Sequence, residues 1–408
     1  MQYKKVCVIG LGYIGLPTAA LLASKGYKVI GVDVNHDVVT MINQGRIHII
    51  EPDLEHVVRS VVSAGNLNAY TVPQSADVYI ICVPTPFYES RGDAVPQPNI
   101  EYVLDAVESI SGLVKPGDFI ILESTSPVGT TKNISDALEN AGIDVATISI
   151  AYCPERVLPG SIMRELVEND RIVGGLTPLA TKNIAMFYRS FVQGNVLETD
   201  DRTGEMCKLT ENSFRDVNIA FANELSIICS KNGVNVWDLI LLANRHPRVN
   251  ILQPGAGVGG HCIAVDPWFI VASDPENSRL IHTARNVNNY KTQWVVDQIS
   301  AKFDSIASKL VHRPRIACLG LSFKPNIDDL RESPAVRVAS SLLAQGFDLM
   351  VVEPNINEHP DFTLVELAYA LEMADLIVVL VKHREFLAQE FYGGGSSQCI
   401  LDFCGVSE

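Results

Sequence analysis

Short apolar runs, each ending in a glycine or a polar residue, recur along the first 160 positions. They occupy 4–10, 28–33, 76–86, 117–130 and 148–160. Runs of this length, rich in β-branched residues, are typical of strands buried on both faces. A helical pattern at 16–26 separates the first two runs, and it stops at Gly26. The alternation predicts a doubly wound, largely parallel sheet.

The pattern at 315–353 repeats that of the N-terminus. A predicted strand reaches Gly320, a helix ends near Gly346, and a second strand ends in Glu353. The difference is an inserted loop, 323–333, where the first unit has a short turn. Two later apolar runs complete this second predicted sheet, at 375–381 and 399–403.

A long helix is predicted between the two sheets. From Thr203 to about Leu242 there is no proline, and the pattern breaks only near 231–234. The fold class is therefore α/β, with two Rossmann-like doubly wound sheets joined by a central long-helix region. We expect three domains, at 1–200, 201–305 and 306–408.

Composition and charge narrow the class of protein. The chain has 408 residues, 47% hydrophobic and 19% charged, which is typical of a globular enzyme. It lacks an apolar run long enough for a membrane span, and its net charge of −15 argues against nucleic acid as a partner. Nine cysteines without a C-x-x-C motif predict neither a disulfide framework nor a zinc site, and favour the cytoplasm. His261 has no second ligand at a suitable spacing, so we expect no metal.

A glycine motif follows the first predicted strand. It comprises Gly10, Gly12 and Gly15, with Tyr13 and Ile14 between them. A G-x-G-x-x-G sequence alone is weak evidence, but here it joins a strand to a helix, and Asp33 ends the next strand. The backbone N–H groups of such a turn bind a pyrophosphate, and the carboxylate binds the ribose hydroxyls. This predicts NAD, because Asp33 would repel the additional phosphate of NADP.

Polar residues follow three further strands of the first sheet. These are Thr85, Thr125, Glu155 and Arg156. Ligands bind beyond the carboxyl ends of parallel strands, so we expect these side chains at the cofactor crevice, although threonines there can simply be turn residues. On the long helix, Lys208, Asn212 and Arg215 have the spacing i, i+4 and i+7, so they project from one face and can grip an oxyanion or a hydroxyl.

Four glycines precede a single cysteine at 262, within PGAGVGGHC. Glycine is costly to order, so the cluster indicates that another group approaches this backbone closely. His246 and Arg248 belong to a basic cluster in this otherwise acidic chain. On the inserted loop, Phe323, Lys324 and Arg331 suit a nucleobase and a diphosphate, unless they form only a solvated basic loop.

Together these segments resemble the UDP-glucose/GDP-mannose dehydrogenase family over nearly the whole chain. The resemblance rests on GLGYIGLP, ESTSPVGT, CPERVLPG, EMCKLTENSFRDVNIAFANE, GVGGHCIAVDP and FKPNIDDLRESP. Family members oxidise C6 of a nucleotide sugar from alcohol to carboxylate with two NAD. The resemblance implies that Cys262 is the nucleophile and that Lys208 and Asn212 stabilise the oxyanion. It further implies that Asp266 and Glu155 orient or deprotonate the hydrolytic water, with Thr125 helping to hold it.

The resemblance also implies the role of each expected domain: 1–200 binds NAD, 201–305 serves dimerisation and catalysis, and 306–408 binds the UDP-sugar. It implies that the group approaching the glycines before Cys262 is a sugar diphosphate. It further implies the substrate and a homodimer. ERVLPG and NRHPRVNILQPGAGVGGHC are most similar to the N-acetyl-sugar branch, which favours UDP-N-acetyl-D-mannosamine over UDP-N-acetylglucosamine or UDP-glucose. The expected substrate contacts are Arg156, Val157, Lys208, Asn212, Arg215, His246, Arg248, Gly259, Phe323, Lys324 and Arg331, with Arg248 acting across the dimer. A sensor of nucleotide sugars without catalysis is the alternative class, but it would not need Cys262 beside an oxyanion clamp.

Overall fold

The computed structural model describes residues 5–88, 95–158, 160–260, 262–387 and 398–406. His261 lies outside this part of the chain. The contacts divide the chain into two compact units, Met1–Thr210 and Glu211–Glu408. No helix in the described ranges is long and apolar enough to cross a membrane.

The first unit is built on an eight-stranded sheet. Its strands are β1 (Lys5–Ile9), β2 (Lys28–Val32), β3 (Leu67–Tyr70), β4 (Val78–Ile81), β5 (Phe119–Leu122), β6 (Ser149–Tyr152), β7 (Arg171–Gly175) and β8 (Val196–Asp200). Their order is β3-β2-β1-β4-β5-β6-β7-β8, and all neighbours are parallel except β6 and β7. The sequence pattern did not predict β3, β7 and β8. β3 is short with alternate residues exposed, β7 contains two glycines, and β8 alternates with charged residues.

Helices cover both faces of this sheet. They are α1 (Gly15–Ser24), α2 (His36–Asn43), α3 (Leu54–Ser63), α4 (Glu101–Ser111), α5 (Thr130–Asn140), α6 (Ile162–Glu168) and α7 (Pro178–Tyr188). Residues of β1 alternate between two separate cores, with Val6 and Val8 in one and Cys7 and Ile9 in the other. A strand buried on both faces explains why its sequence is continuously apolar.

A 32-residue helix, α8 (Asp201–Asn232), begins in the first unit and continues into the second. It ends before Gly233, whose φ of +66° suits glycine, and α9 (Val236–Ala243) follows. The predicted helix and its break are confirmed. The second unit also contains α10 (Asp266–Ser273) and α11 (Arg279–Ala307).

The second sheet is four-stranded and parallel, in the order β10-β9-β11-β12. Its strands are β9 (Ile316–Leu319), β10 (Leu349–Val352), β11 (Leu376–Val379) and β12 (Cys399–Asp402), and its helices are α12 (Pro334–Ala344), α13 (Leu367–Met373) and α14 (Arg384–Leu387). The α/β class and the two Rossmann-like sheets joined by a long helix are therefore confirmed. The three domain boundaries remain a prediction.

Candidate active site

The turn between β1 and α1 uses its three glycines in different ways. Gly10 has φ +88°, and a Cβ there would lie 2.7 Å from the Cys82 carbonyl oxygen. A Cβ on Gly15 would overlap the Gly10 carbonyl oxygen. A Cβ on Gly12, by contrast, would meet no atom within 4 Å. The protein itself therefore requires Gly10 and Gly15, whereas Gly12 leaves an open space at the start of α1.

Asp33 lies beside this turn. One carboxylate oxygen accepts the Leu11 N–H at 3.0 Å and the other accepts the Asn35 N–H at 2.9 Å. The turn lies where the strand order reverses between β1 and β4, which is where doubly wound sheets bind ligands. An open space at Gly12, with Tyr13 and Ile14 leading into a helix, fits a pyrophosphate, and the half-buried Asp33 fits a ribose.

The two threonines lie next to each other on this edge of the sheet. Thr85 follows β4 and Thr125 follows β5, and both are half-buried. The Thr85 hydroxyl donates to the Thr125 carbonyl oxygen at 2.6 Å. Thr85 thus fixes the backbone at Thr125, and its lone pairs remain able to accept a hydrogen bond.

Glu155 follows β6 and is buried, with 6% of its surface exposed. One carboxylate oxygen accepts the Val157 N–H at 2.7 Å, and the other lies 3.8 Å from the buried guanidinium of Arg171. Its backbone carbonyl accepts a hydrogen bond from Lys208 Nζ at 2.7 Å. Burial raises the pKa of Glu155, while the charges of Arg171 and Lys208 oppose that shift. Arg156, the next residue, donates to the Asp170 carbonyl.

The second unit brings three of the predicted catalytic residues together. Asp266 is the first residue of α10 and is 2% exposed, and its N–H donates to the Cys262 carbonyl at 2.8 Å. Asn212 of α8 donates from Nδ2 to Asp266 Oδ2 at 2.5 Å. Cys262 itself is half-buried. The backbone of Cys262 is therefore joined to Asp266, and the Asp266 carboxylate to the Asn212 carboxamide.

The glycines before Cys262 make a close approach to protein. A Cβ on Gly259 would lie 2.7 Å from Phe323 Cβ and from the Glu332 carbonyl oxygen, and one on Gly260 would lie 2.9 Å from the Phe323 ring. Gly260 N–H also donates to the Arg331 carbonyl at 3.0 Å. The predicted close approach is thus present, but the group that excludes side chains here is the inserted loop.

That loop carries the three side chains predicted for the nucleotide. Phe323 is half-buried, and Lys324 and Arg331 are exposed. The Arg331 guanidinium is held by the Asp329 carboxylate, with Nε donating to Oδ1 at 2.9 Å and Nη2 donating to Oδ2 at 2.6 Å. The Asp329 contact orients the guanidinium, since a bidentate pair fixes its plane.

The basic cluster near residue 246 lies beside an apolar groove of about 480 Å³. Arg248 lines the groove with Phe214 and Phe221 of α8 and Leu280 of α11. His246 is exposed, and its Nδ1 accepts the Arg248 N–H at 3.3 Å. Arg215, also exposed, projects from α8.

Several residues that organise these regions were not predicted. Arg171 of β7 accompanies Glu155, and Glu205 of α8 accepts the Gly129 and Thr131 N–H groups at the start of α5. Asn223 accepts the Gly255 N–H at 2.9 Å and so holds the start of the glycine segment. Each contact joins residues more than 15 positions apart, and no local pattern in the sequence identifies such pairs.

Three family models match successive parts of this chain. They describe the NAD binding domain, the central domain and the UDP binding domain of the UDP-glucose/GDP-mannose dehydrogenase family, at residues 4–192, 202–290 and 317–407. The chain belongs to this family. It is an NAD-dependent nucleotide-sugar dehydrogenase, and the predictions of enzyme class and of NAD are confirmed.

Individual relatives agree with the family models. UDP-N-acetyl-D-mannosamine dehydrogenase of Yersinia pestis is 55% identical, over 95% of this chain and 96% of that protein. NDP-N-acetyl-D-galactosaminuronic acid dehydrogenase of Ralstonia nicotianae is 52% identical, over 95% and 92%. The structure of UDP-D-ManNAc dehydrogenase from Pyrococcus horikoshii is 38% identical with a TM-score of 0.90, over 98% of this chain and 96% of that one.

Proposed function

We propose that this enzyme oxidises C6 of UDP-N-acetyl-D-mannosamine to a carboxylate, through a covalent intermediate on Cys262. The observation that carries the proposal is the cluster of Cys262, Asp266 and Asn212, because only a second oxidation needs a nucleophile beside hydrogen-bonding and acidic groups. None of the nine cysteines, all in described parts of the chain, forms a disulfide, which supports a cytoplasmic location.

The first oxidation converts the C6 alcohol to an aldehyde, with loss of a hydride and a proton. Bound NAD supplies the acceptor for one hydride in each of the two oxidations. On the protein side, the Lys208 ammonium stabilises the oxygen as it becomes negative. Asn212 donates one amide hydrogen to Asp266, and its second amide hydrogen is available for the same oxygen.

The second oxidation begins when the Cys262 sulfur adds to the aldehyde carbon and the thiol proton is transferred, directly or through solvent, to the aldehyde oxygen, which becomes a hydroxyl group. The resulting thiohemiacetal loses a second hydride and its hydroxyl proton, leaving a thioester. Water then displaces the sulfur, giving the carboxylate and the restored thiol. Per sugar, two hydrides and three protons leave, and one water is consumed.

Asp266 and Glu155 are the proposed bases for the hydrolytic water, with Thr125 helping to orient it. Burial raises the pKa of Glu155, which moves this carboxyl toward the range where a base can also return a proton. Arg171 limits that shift and keeps the carboxylate available.

An NADH-formation assay with four nucleotide sugars tests the choice of substrate. We expect UDP-N-acetyl-D-mannosamine to react with the highest kcat/KM, ahead of UDP-N-acetylglucosamine, UDP-glucose and GDP-mannose. Because a relative at 52% identity is named for an N-acetyl-D-galactosaminuronic acid product, the UDP-N-acetylhexosamines are compared at several concentrations. A higher kcat/KM for any other sugar would replace this assignment. Failure to oxidise any of them, with both ligands bound, would favour the sensor.

Replacing the nucleophile tests the mechanism. Cys262→Ala should fold and bind both ligands but release no sugar acid, because no thioester can form. Cys399→Ala, which removes another half-buried thiol, is the matched control and should keep wild-type turnover. Lys208→Ala should slow both oxidations by about 10²–10³. The measurements are NADH formed per sugar and mass spectrometry of a protein-bound sugar. Normal acid production by Cys262→Ala would exclude the covalent route.

We also propose a homodimer formed through the apolar groove. Phe214, Phe221 and Ile228 follow one another at seven-residue intervals on α8 and are 67%, 53% and 49% exposed, and Leu280 on α11 is 68% exposed. Such a stripe is unusual on a monomer surface, and a second copy of the same stripe would cover it. Arg248 lines the groove, which supports its proposed contact with the sugar of the other subunit.

Mixing two inactive variants tests the contact across subunits. Arg248→Ala subunits supply an intact Cys262, and Cys262→Ala subunits supply an intact Arg248. Hybrid dimers should therefore recover part of the activity. Lack of recovery, in samples where native mass spectrometry detects the hybrid, would place Arg248 in its own subunit's site or outside the chemistry. A monomer by sedimentation would contradict the dimer itself.

A further inference from the structure

A buried histidine and a buried glutamate lie behind the inserted loop of the second sheet. His383 is 0% exposed and Glu353 is 4% exposed, and His383 Nε2 lies 3.0 Å from Glu353 Oε2. On the other side of the ring, the backbone N–H of Asn326 points at Nδ1 over 2.9 Å. Since a backbone N–H can only donate, Nδ1 accepts and the ring proton is on Nε2, where it donates to Glu353.

The pair holds the loop at two points. Glu353 Oε2 accepts the N–H groups of Leu321 at 2.7 Å and Ser322 at 3.0 Å, and His383 accepts that of Asn326. Asn326 has φ +61°, in the left-handed region that asparagine adopts more readily than most residues with a Cβ. Its N–H donates to His383 Nδ1, and this hydrogen bond holds the loop in that conformation.

The held segment leads to the nucleophile. Phe323 lies between the two anchored points, and its ring and Cβ define the space into which Gly259 and Gly260 fit. The far end of the same loop accepts the Gly260 N–H through the Arg331 carbonyl. A shift of this loop would therefore move the backbone just before Cys262, as well as Phe323 and Arg331.

We propose that His383 and Glu353 are positioning residues that set the loop 322–331 for the uridine diphosphate and, through Phe323 and Gly260, set the segment that carries Cys262. The inference rests on the proposed function, with the uridine diphosphate of the substrate bound at this loop, where the sequence predicts Phe323, Lys324 and Arg331 as nucleotide contacts. Neither side chain needs to touch substrate, because each acts through backbone N–H groups of the loop.

A neutral imidazole is suited to this task because it offers an acceptor and a donor on opposite sides of a rigid ring. The two amide residues separate these roles. Asn places its oxygen near the position of Nδ1 and can still accept from Asn326. Gln places its amide near the position of Nε2 and can still donate to Glu353, but it leaves the Asn326 N–H unpaired. The loop-anchoring proposal therefore ranks His383→Asn above His383→Gln.

The experiment measures the binding of UDP to the full-length protein by calorimetry, with NAD binding as the internal control. We expect His383→Gln to weaken UDP binding at least 10-fold and His383→Asn to weaken it less than 3-fold, with NAD affinity unchanged in both. Steady-state kinetics should show the same order in KM for the nucleotide sugar. Ile377→Ala, a buried site of the same sheet with no contact to the loop, controls for general destabilisation and should leave UDP affinity unchanged.

Glu353→Gln is a second variant that keeps the shape of the side chain, and we expect it to weaken UDP binding several-fold. Equal UDP affinity in wild type and all three variants would overturn the inference, and so would equal weakening by His383→Asn, His383→Gln and Ile377→Ala. A wild-type protein that fails to bind UDP would instead overturn the proposed function on which the inference rests. If His383→Gln does not fold, the test is the comparison of UDP affinity between Glu353→Gln and Ile377→Ala. Equal UDP affinity in these two variants would then overturn the inference.

Discussion

The turns that follow β1 and β9 start from the same backbone geometry. Gly10 and Gly320 both have φ near +90°, and each donates its N–H at 2.8 Å to the last carbonyl of the neighbouring strand, at Val32 and Val352 respectively. The next residue in each turn donates its N–H to an acidic side chain that follows that neighbouring strand. To this extent the two turns share one backbone geometry and one pattern of hydrogen bonds.

The two acids then differ in what surrounds them. Asp33 is half-buried, and its described hydrogen-bond partners are the backbone N–H groups of Leu11, in the β1–α1 turn, and of Asn35. Glu353 is buried, and its carboxylate also accepts hydrogen bonds from two side chains. His383 donates from Nε2 at 3.0 Å, and Asn355 donates from Nδ2 at 3.0 Å. The comparison teaches that one scaffold position can be left open for a ribose or closed as an internal anchor. In the second unit an inserted loop follows this turn, and we propose that the loop is the surface offered to the nucleotide.

The largest expected effect separates the glycines of the first turn. Gly12→Val should leave the thermal midpoint within about 2 °C of wild type, because the space around Gly12 is open. It should weaken NAD binding at least about 100-fold, since its side chain would occupy the approach to the pyrophosphate, at a cost of roughly 3 kcal/mol. Calorimetry with NAD measures this, and UDP affinity should not change.

Gly15→Ala is the contrasting variant. Its methyl group would overlap the Gly10 carbonyl oxygen, so we expect loss of the folded first unit rather than a selective loss of NAD. If Gly12→Val bound NAD normally, or if Gly15→Ala melted like wild type, the division between ligand-facing and protein-facing glycines would be wrong.

The second prediction concerns the closed acid and its dependence on pH. Burial alone would raise the pKa of Glu353, but hydrogen bonds from His383 and the Leu321 N–H outweigh it and lower the pKa from 4.5 to about 2. A carboxyl with a lowered folded-state pKa stabilises the fold above its unfolded pKa and loses that contribution as pH falls from 4.5 toward 2. The full contribution is about 3 kcal/mol at neutral pH.

Glu353→Gln removes this contribution. We expect the variant to be less stable than wild type at pH 7 by up to about 3 kcal/mol, and the difference to shrink as the pH falls below 4.5. Denaturant unfolding from pH 7 to pH 3 provides the measurement, and Asp33→Asn is the matched control at the open acid. If the difference in free energy of unfolding between wild type and Glu353→Gln stayed constant with pH, Glu353 would act through packing rather than through its charge.

The continuously apolar strands of both sheets were predicted from local sequence patterns. The glycine motif and its associated Asp33 were predicted in the same way. This was possible because the signal for a buried strand and for a strand–turn–helix phosphate site lies within about 25 consecutive residues. The long helix was predicted for the same reason, since the break at Gly233 is a local feature. The charged edge strand β8 carries no such signal.

Contacts between distant positions could not be predicted in this way. Nothing near Glu353 in the sequence indicates that His383 closes its pocket, and nothing near Gly259 indicates that Phe323 approaches it. The glycine cluster before Cys262 was correctly interpreted as a close approach, but its partner in the structure is a loop more than 60 positions away. The spacing of residues along the chain indicates that some group approaches the backbone closely, but only the folded structure identifies that group.

The smallest expected effect concerns the open acid. Asp33 offers a carboxylate where NADP carries its additional phosphate, and repulsion in a half-buried site amounts to roughly 1–4 kcal/mol. Asp33→Asn should weaken NAD binding about 10-fold, by loss of a charge-assisted hydrogen bond, and should narrow the preference for NAD over NADP by at least that factor. The ratio of kcat/KM for the two cofactors is the measurement, with Glu353→Gln as the control that should leave the ratio unchanged. Comparable wild-type turnover with NADP at matched concentration would contradict the role given to Asp33. A change of the ratio by Glu353→Gln would show that the effect is not specific to Asp33.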